Sequence, residues 1–264
     1  MSRPRLEVRL RERVAAKQKL LIPYVMAGQS EDWLETVQAI ADAGADAIEI
    51  GLPFSDPIMD GPVIQEAAVV SLERGTTPQS VLNDLGRLEL DTPLVVMTYF
   101  NLVYRAGLDR FAGRLQEVGV TGCIIPDLSL EEFGAWEKAA ERVGIDPVLL
   151  VAPSTSTERA KAICERSRGF LYAVGRMGVT GERDDASLEV DAVVAKVRPF
   201  TTLPVCVGVG VSTPEQAAAV VRVADGAIVG SALVRRLLEG GGPEGAATFI
   251  GELRSALDGV TLDG

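Results

Sequence analysis

Eight short apolar runs, each followed by a segment of helical periodicity, succeed one another along this chain without a linker between them, and this alternation constrains the fold more than any other feature. The predicted strands are Leu20–Met26, Asp46–Ile50, Leu94–Tyr99, Gly122–Pro126, Val148–Val151, Gly169–Val174, Val205–Gly208 and Gly226–Val229. Helices are predicted between them at about Glu31–Ala43, Pro78–Leu88, Leu108–Val118, Leu130–Val143, Ser156–Arg166, Leu188–Val197 and Pro214–Val223, with another at Pro243–Leu257. A polar-faced helix at Arg5–Lys19 precedes the first strand, and an extra helix near Pro62–Arg74 follows the second. Gly44, Gly119 and Gly144 sit where helices end, and Thr77-Pro78 and Thr213-Pro214 where they begin. Strict strand–helix alternation predicts an α/β architecture, a single-domain (β/α)8 TIM barrel over residues 1–264 with those two additional helices. The alternative is a doubly wound open sheet. Its dinucleotide fingerprint fails, because Gly208-Val209-Gly210 has Thr213 where a third small residue belongs.

The chain contains no histidine, which removes Ser-His-Asp and Cys-His nucleophile systems and, with only three widely spaced cysteines, disfavours a transition-metal site. Any acid–base chemistry must therefore rest on carboxylates, tyrosine or lysine. Cys123, Cys164 and Cys206 include no Cys-x-x-Cys and are predicted to be reduced, buried thiols. A formal net charge of −11 opposes binding to nucleic acid or to an anionic membrane. No apolar run approaches a membrane span, and the Arg3, Arg5, Arg9, Arg11 segment lacks the apolar core of a signal peptide, so a cytoplasmic protein is expected.

The stretch from Asp46 to Pro62 concentrates the chemistry: a strand that ends in Glu49 and Ile50 runs into a proline-stiffened loop carrying Asp56 and Asp60. Side chains alternate across a strand, so Ile48 and Ile50 should face the helices while Ala47 and Glu49 point into the barrel. From position alone, Glu49 reads equally well as a solvated loop acid. A desolvated Glu49 would have a raised pKa, with a rate that falls on the acid side as its base form is lost. Glu49 and Asp60 lie eleven residues apart and can face each other across a ligand, although spacing alone is a weak signal. Barrel active sites lie at the C-terminal ends of the strands, with phosphate held after strands seven and eight. There, Gly208-Val209-Gly210-Val211-Ser212 and Gly230-Ser231-Ala232 suit an anion cradle of backbone amides, or plain turns. The glycine-rich segment Gly175–Asp184 has the length of a lid, or of a surface loop. Tyr172 is either a hydroxyl in the mouth or a core residue.

Pro53-Phe54-Ser55-Asp56-Pro57 with Asp60-Gly61-Pro62, together with Gly178-Val179-Thr180-Gly181 and Gly230-Ser231-Ala232, resembles the tryptophan synthase α-subunit family along nearly the whole chain. The resemblance implies retro-aldol cleavage of indole-3-glycerol phosphate to indole and glyceraldehyde 3-phosphate. It also implies Glu49 as the acid–base that protonates indole C3 and takes the side-chain hydroxyl proton, and Asp60 as acceptor of the indole N–H. Tyr172 corresponds to a pocket tyrosine, Thr180 to a lid residue that orders Asp60, and Gly181, Gly210, Gly230 and Ser231 to the phosphate site. Asp56, Pro57, Asn101 and Tyr104 fall in loops resembling the contact surface for a β subunit in an α2β2 heterotetramer. Pyridoxal phosphate is expected only in that partner, and no cofactor or metal in this chain. A stand-alone indole-releasing lyase and a catalytically silent activating subunit are the alternatives. Val209, Gly175 and Ser129 depart from the residues usual at those positions, as does Met26-Ala27-Gly28-Gln29 at the end of the first strand.

Overall fold

A computed structural model of the chain describes residues 5–175, 183–208 and 210–260, with residues 183–189 described by their backbone alone. Eight parallel strands close into a barrel in sequence order: β1 Leu20–Met26, β2 Ile48–Gly51, β3 Leu94–Met97, β4 Gly122–Ile124, β5 Asp146–Val151, β6 Leu171–Val174, β7 Val205–Gly208 and β8 Gly226–Val229, with β8 pairing back onto β1. The helices are α1 Leu6–Ala15, α2 Trp33–Asp42, α3 Pro62–Glu73, α4 Pro78–Leu85, α5 Phe100–Ala106, α6 Leu108–Glu117, α7 Gly134–Val143, α8 Thr157–Arg166, α9 Arg183–Val197, α10 Pro214–Val220, α11 Ser231–Leu238 and α12 Gly242–Asp258. The predicted barrel, its N-terminal helix and the extra helix α3 are all present. Among the described residues no helix is long and apolar enough to cross a membrane.

Alternation along each strand divides the core. Leu21, Val25, Ile48, Ile50, Leu94 and Val96 pack outward against the helices. Leu20, Ile22, Ala47, Val95, Ile124, Val148, Phe170 and Cys206 fill the interior. The expected orientation of β2 therefore holds, and all three cysteines are free and buried.

Helix α1 closes the N-terminal end of the barrel. Its Leu6 and Leu10 join the interior cluster and are fully buried. A Cβ on Gly122 would lie 2.6 Å from the Leu6 side chain and one on Gly169 2.7 Å from it, so these glycines make room for the plug. The Glu7 N–H donates to Asp146 Oδ2 at 3.0 Å, and the Gly169 N–H donates to Glu7 Oε2 at 3.2 Å, which pins the helix across β5 and β6. Leu6→Ala leaves a cavity that the rigid barrel wall cannot collapse into, and should cost about 2–5 kcal/mol. A shift in the urea midpoint at constant slope measures that cost; an unchanged midpoint means the plug is dispensable.

Several element boundaries differ by a few residues from those predicted, and three differences bear on the site and the barrel entrance. Strand β2 begins at Ile48, not Asp46; the Asp46 carboxylate accepts from Arg13 and from the Leu21 N–H at the barrel entrance. Tyr99, expected in the third strand, instead precedes α5, a helix not read separately. The Asp127 carboxylate reaches across from the loop after β4 and accepts the Phe100 N–H at 2.8 Å, which starts that helix. Helix α11, absent from the predicted helices, starts at Ser231 directly after β8.

Candidate active site

A cavity of about 230 Å³ opens at the C-terminal ends of the strands. Strand β2 places Glu49 on its wall, the loop after β2 brings Asp60 and Gly61 to its edge, and β6 supplies Tyr172. Gly208 and Gly210 from the end of β7, with Gly230 and Ser231 after β8, form the other side. The structure thus brings Glu49, Asp60, Tyr172, Gly210, Gly230 and Ser231 to one cavity. Thr180 and Gly181, with most of the predicted lid, lie outside the described residues, as does Val209.

Glu49 is 1% exposed, and its Oε1 is buried with no hydrogen-bond partner among the described residues. Desolvation alone penalises the carboxylate and raises its pKa to about 8. The position of Glu49 on an inward-facing strand face settles the choice left open by sequence against a solvated loop acid.

Asp60 lies in a different environment. Burial raises its pKa too, but the Tyr99 hydroxyl donates to its Oδ2 at 2.9 Å and opposes that rise. The same hydroxyl accepts the Met59 N–H at 3.0 Å, and Phe54 stacks on the Tyr99 ring with centroids 5.0 Å apart. Tyr99 therefore ties the acidic loop to the start of α5 and holds Asp60 in place. Sequence reasoning assigned Tyr99 to a strand, and no local motif marks its contact with a residue 39 positions away.

The opposite side suits an anion. Gly210 has φ +76°, a left-handed conformation that favours glycine, while a Cβ there would meet open space. Helix α11 begins at Ser231 with no side chain capping its first turn, leaving free N–H groups at the edge of the cavity. None of the described residues lining the cavity is lysine or arginine. Across the mouth, the Tyr172 ring lies against Gly208, where a Cβ would come within 2.5 Å of the hydroxyl oxygen.

Of the residues predicted to meet a partner, Asp56, Asn101 and Tyr104 are exposed and Pro57 is partly so. Beside them Ile58 is 80% and Tyr104 68% exposed, large apolar surfaces at the rim of the mouth. Ile58 was not singled out from sequence.

A closed eightfold barrel whose mouth sets two carboxylates in unlike environments opposite a glycine-built helix N-terminus defines a class: a histidine-free α/β barrel with a carboxylate wall and a glycine wall around one cavity. The family model described as tryptophan synthase alpha chain matches residues 10–252. The chain is 46% identical over 228 residues to the tryptophan synthase alpha chain of Gloeobacter violaceus, covering 84% of this chain and 83% of that one. It is 43% identical over 243 residues to that of Methanosarcina mazei, covering 91% and 89%. Among solved structures, Mycobacterium tuberculosis tryptophan synthase superposes with a TM-score of 0.88 at 38% identity, covering 97% of this chain and 98% of that one. Tryptophan synthase subunit alpha of Legionella pneumophila gives 0.88 at 32%, covering 98% and 99%. The chain belongs to the tryptophan synthase alpha chain family, lyases of L-tryptophan biosynthesis that cleave indole-3-glycerol phosphate to indole and glyceraldehyde 3-phosphate.

Proposed function

We propose that this cavity carries out the cleavage with Glu49 and Asp60 as its acid–base pair, the whole chain acting as one barrel domain. The observation that carries the reading is Glu49 itself: a buried carboxylate with an unpaired oxygen, on one cavity with a second acid held by a tyrosine. Burial keeps Glu49 mostly protonated at neutral pH, so it begins as the acid that protonates indole C3. Asp60, as carboxylate, accepts the indole N–H and offsets the positive charge on the ring. The ionised Glu49 then takes the side-chain hydroxyl proton as the carbon–carbon bond breaks, and returns to its starting form. Gly210, Gly230 and Ser231 hold the phosphate by backbone amides and the α11 N-terminus, with Tyr172 walling the ring; Gly181 is assigned to the same phosphate site and Thr180 to ordering Asp60.

The chemistry asks only for proton transfer and anion binding, so this reading assigns no cofactor to the chain. Pyridoxal phosphate belongs to a β subunit that receives the indole in an α2β2 assembly. The exposed rim of Asp56, Pro57, Ile58, Asn101 and Tyr104 is the surface proposed to meet it, and the cytoplasm is the proposed compartment. Incubating the purified chain with indole-3-glycerol phosphate, with and without a β subunit, tests both parts. Indole release that rises on addition of β is expected; no release in either condition ends the proposal.

The order of proton transfers sets the pH dependence. For kcat/KM of the free enzyme, the alkaline limb should fall through the Glu49 pKa near about 8, as the acid form is lost. The acid limb belongs to Asp60, whose pKa lies above its ordinary value and which must be ionised. The acid-side loss expected of Glu49 from sequence thus passes to Asp60. A rate still climbing well above pH 8 would overturn this order.

Tyr99→Phe removes the hydroxyl that lowers the Asp60 pKa. A hydrogen bond to a charged group contributes about 1.5–3 kcal/mol, so kcat/KM should drop by roughly tenfold or more. The acid limb should move to higher pH, a shift that loss of fold would not produce. An acid limb that stays where it was would show that Tyr99 does not act through Asp60.

A further inference from the structure

The cavity contains a hydroxyl that the roles above leave unused. Tyr24, on the inner face of β1, stands in register with Glu49 of β2 and lines the cavity with both acids. Its two ends touch opposite halves of the site. A Cβ built on Gly230 would lie 3.8 Å from the Tyr24 Cβ, whereas one on Gly51 would lie 1.9 Å from the Tyr24 hydroxyl oxygen. The side chain therefore runs along the barrel wall from the anion side at β8 to the acid side at β2. Its hydroxyl sits over the glycine two residues beyond Glu49, on the same strand face. The arrangement repeats across the mouth, where the Tyr172 hydroxyl lies over Gly208 of the next strand. In both cases a tyrosine fits because the neighbouring strand ends in glycine. The Tyr24 hydroxyl has no hydrogen-bond partner among the described residues, although the residue is only 6% exposed.

We infer that Tyr24 is a substrate-contacting residue: its hydroxyl donates a hydrogen bond to the substrate side-chain oxygen whose proton Glu49 removes. This rests on the cleavage proposed above. When the bond between indole C3 and the neighbouring carbon breaks, its electron pair stays on the ring. The hydroxyl proton passes to the Glu49 carboxylate, and the oxygen becomes the carbonyl of the departing aldehyde. Glu49 and Asp60, as carboxylates, can only accept at that moment, so the oxygen needs a donor from another residue. Ser231 lies on the anion side, and the Tyr99 hydroxyl is committed to Asp60. The charge of Glu49 acts on both remaining tyrosines, but Tyr24 stands in register with Glu49 on the strand paired to β2, its hydroxyl over Gly51, whereas the Tyr172 hydroxyl lies over Gly208 of β7. Burial, then the negative charges of Asp60 and Glu49, raise the Tyr24 pKa well above its ordinary value. The hydroxyl therefore stays a neutral donor across the range in which the acids titrate.

Tyr24→Phe keeps the ring and its packing on Gly51 and deletes only the hydroxyl. Two quantities are measured: kcat/KM for indole-3-glycerol phosphate, and the inhibition constant of indole-3-propanol phosphate, which has the ring and phosphate but no hydroxyl on the connecting chain. Loss of a donor to a developing charge is expected to lower kcat/KM by about 10²-fold. Affinity for the propanol phosphate should be unchanged, and melting temperature preserved. A loss of less than about tenfold in kcat/KM overturns the inference. So does an equal loss of affinity for the inhibitor, which would make Tyr24 a packing residue. A wild-type chain that releases no indole overturns the cleavage assignment itself, a result distinct from either outcome for the variant.

Discussion

Glu49→Gln should lower indole formation by on the order of 10³-fold and at the same time make the protein more stable at pH 8. The first effect follows because the amide can neither give a proton to the ring nor accept one from the substrate hydroxyl. The second follows from linkage. Glu49 has a folded pKa of about 8 against an ordinary value of 4.5, because burial disfavours its charged form. The folded protein therefore holds the Glu49 proton more tightly than the unfolded chain does. That contribution is fully present below pH 4.5 and is lost as pH rises to about 8, at about 1.4 kcal/mol per pH unit in between. Glutamine has no such loss, so the variant should overtake the wild type across that window and keep its lead above it. Chemical denaturation of both proteins at several pH values measures the gap. Turnover within tenfold of wild type, or parallel stability curves, would show that Glu49 is neither the proton carrier nor a desolvated acid.

At the opposite end of the barrel, Asp46→Ala should be the most damaging single change to stability among the polar residues. Asp46 is 3% exposed. Its Oδ1 accepts from Arg13 Nε at 2.6 Å; its Oδ2 accepts from Arg254 Nη1 at 3.1 Å and from the Leu21 N–H at 2.8 Å. One carboxylate thus joins α1, β1 and α12, the first and last elements of a closed structure. Removing it leaves the Leu21 N–H without its acceptor and the buried Arg254 with only the exposed Asp258 as partner, and breaking a buried pair from one side costs about 3–5 kcal/mol. For a chain of this size the melting temperature should fall by on the order of 10 °C. Catalysis at 25 °C should be nearly unchanged, because the residue lies at the N-terminal end, away from the mouth. Asp46→Asn, which keeps an acceptor for Leu21, should fall between the two. A melting point within two degrees of wild type for the alanine variant would show that the seam is held by packing alone.

Much of this was legible in the chain. The alternation of Ile48 and Ile50 with Ala47 and Glu49 already encodes an outer and an inner face, because a strand's period of two is a local property. Gly210, Gly230 and Ser231 could be placed for the same reason: once the strands are counted, their loops fall at the C-terminal ends. The acidic loop was recognised by its composition, yet how Asp60 is held was not. Tyr99 and Asp60 are linked by a hydrogen bond across 39 residues of sequence. Nor did the start of α5 announce itself, since the acceptor that caps it, Asp127, comes from another loop.

The sequence by itself determined the order of strands and helices, the inward face of the second strand and the exclusion of histidine chemistry, because periodicity and composition depend only on neighbours along the chain. The tertiary structure alone decided that Glu49 is buried with an unpaired oxygen, that Tyr99 steadies Asp60, and that the Tyr24 hydroxyl lies over Gly51 on the cavity wall. Each of these depends on the register at which β1, β2 and β3 meet, and that register exists only once the barrel has closed.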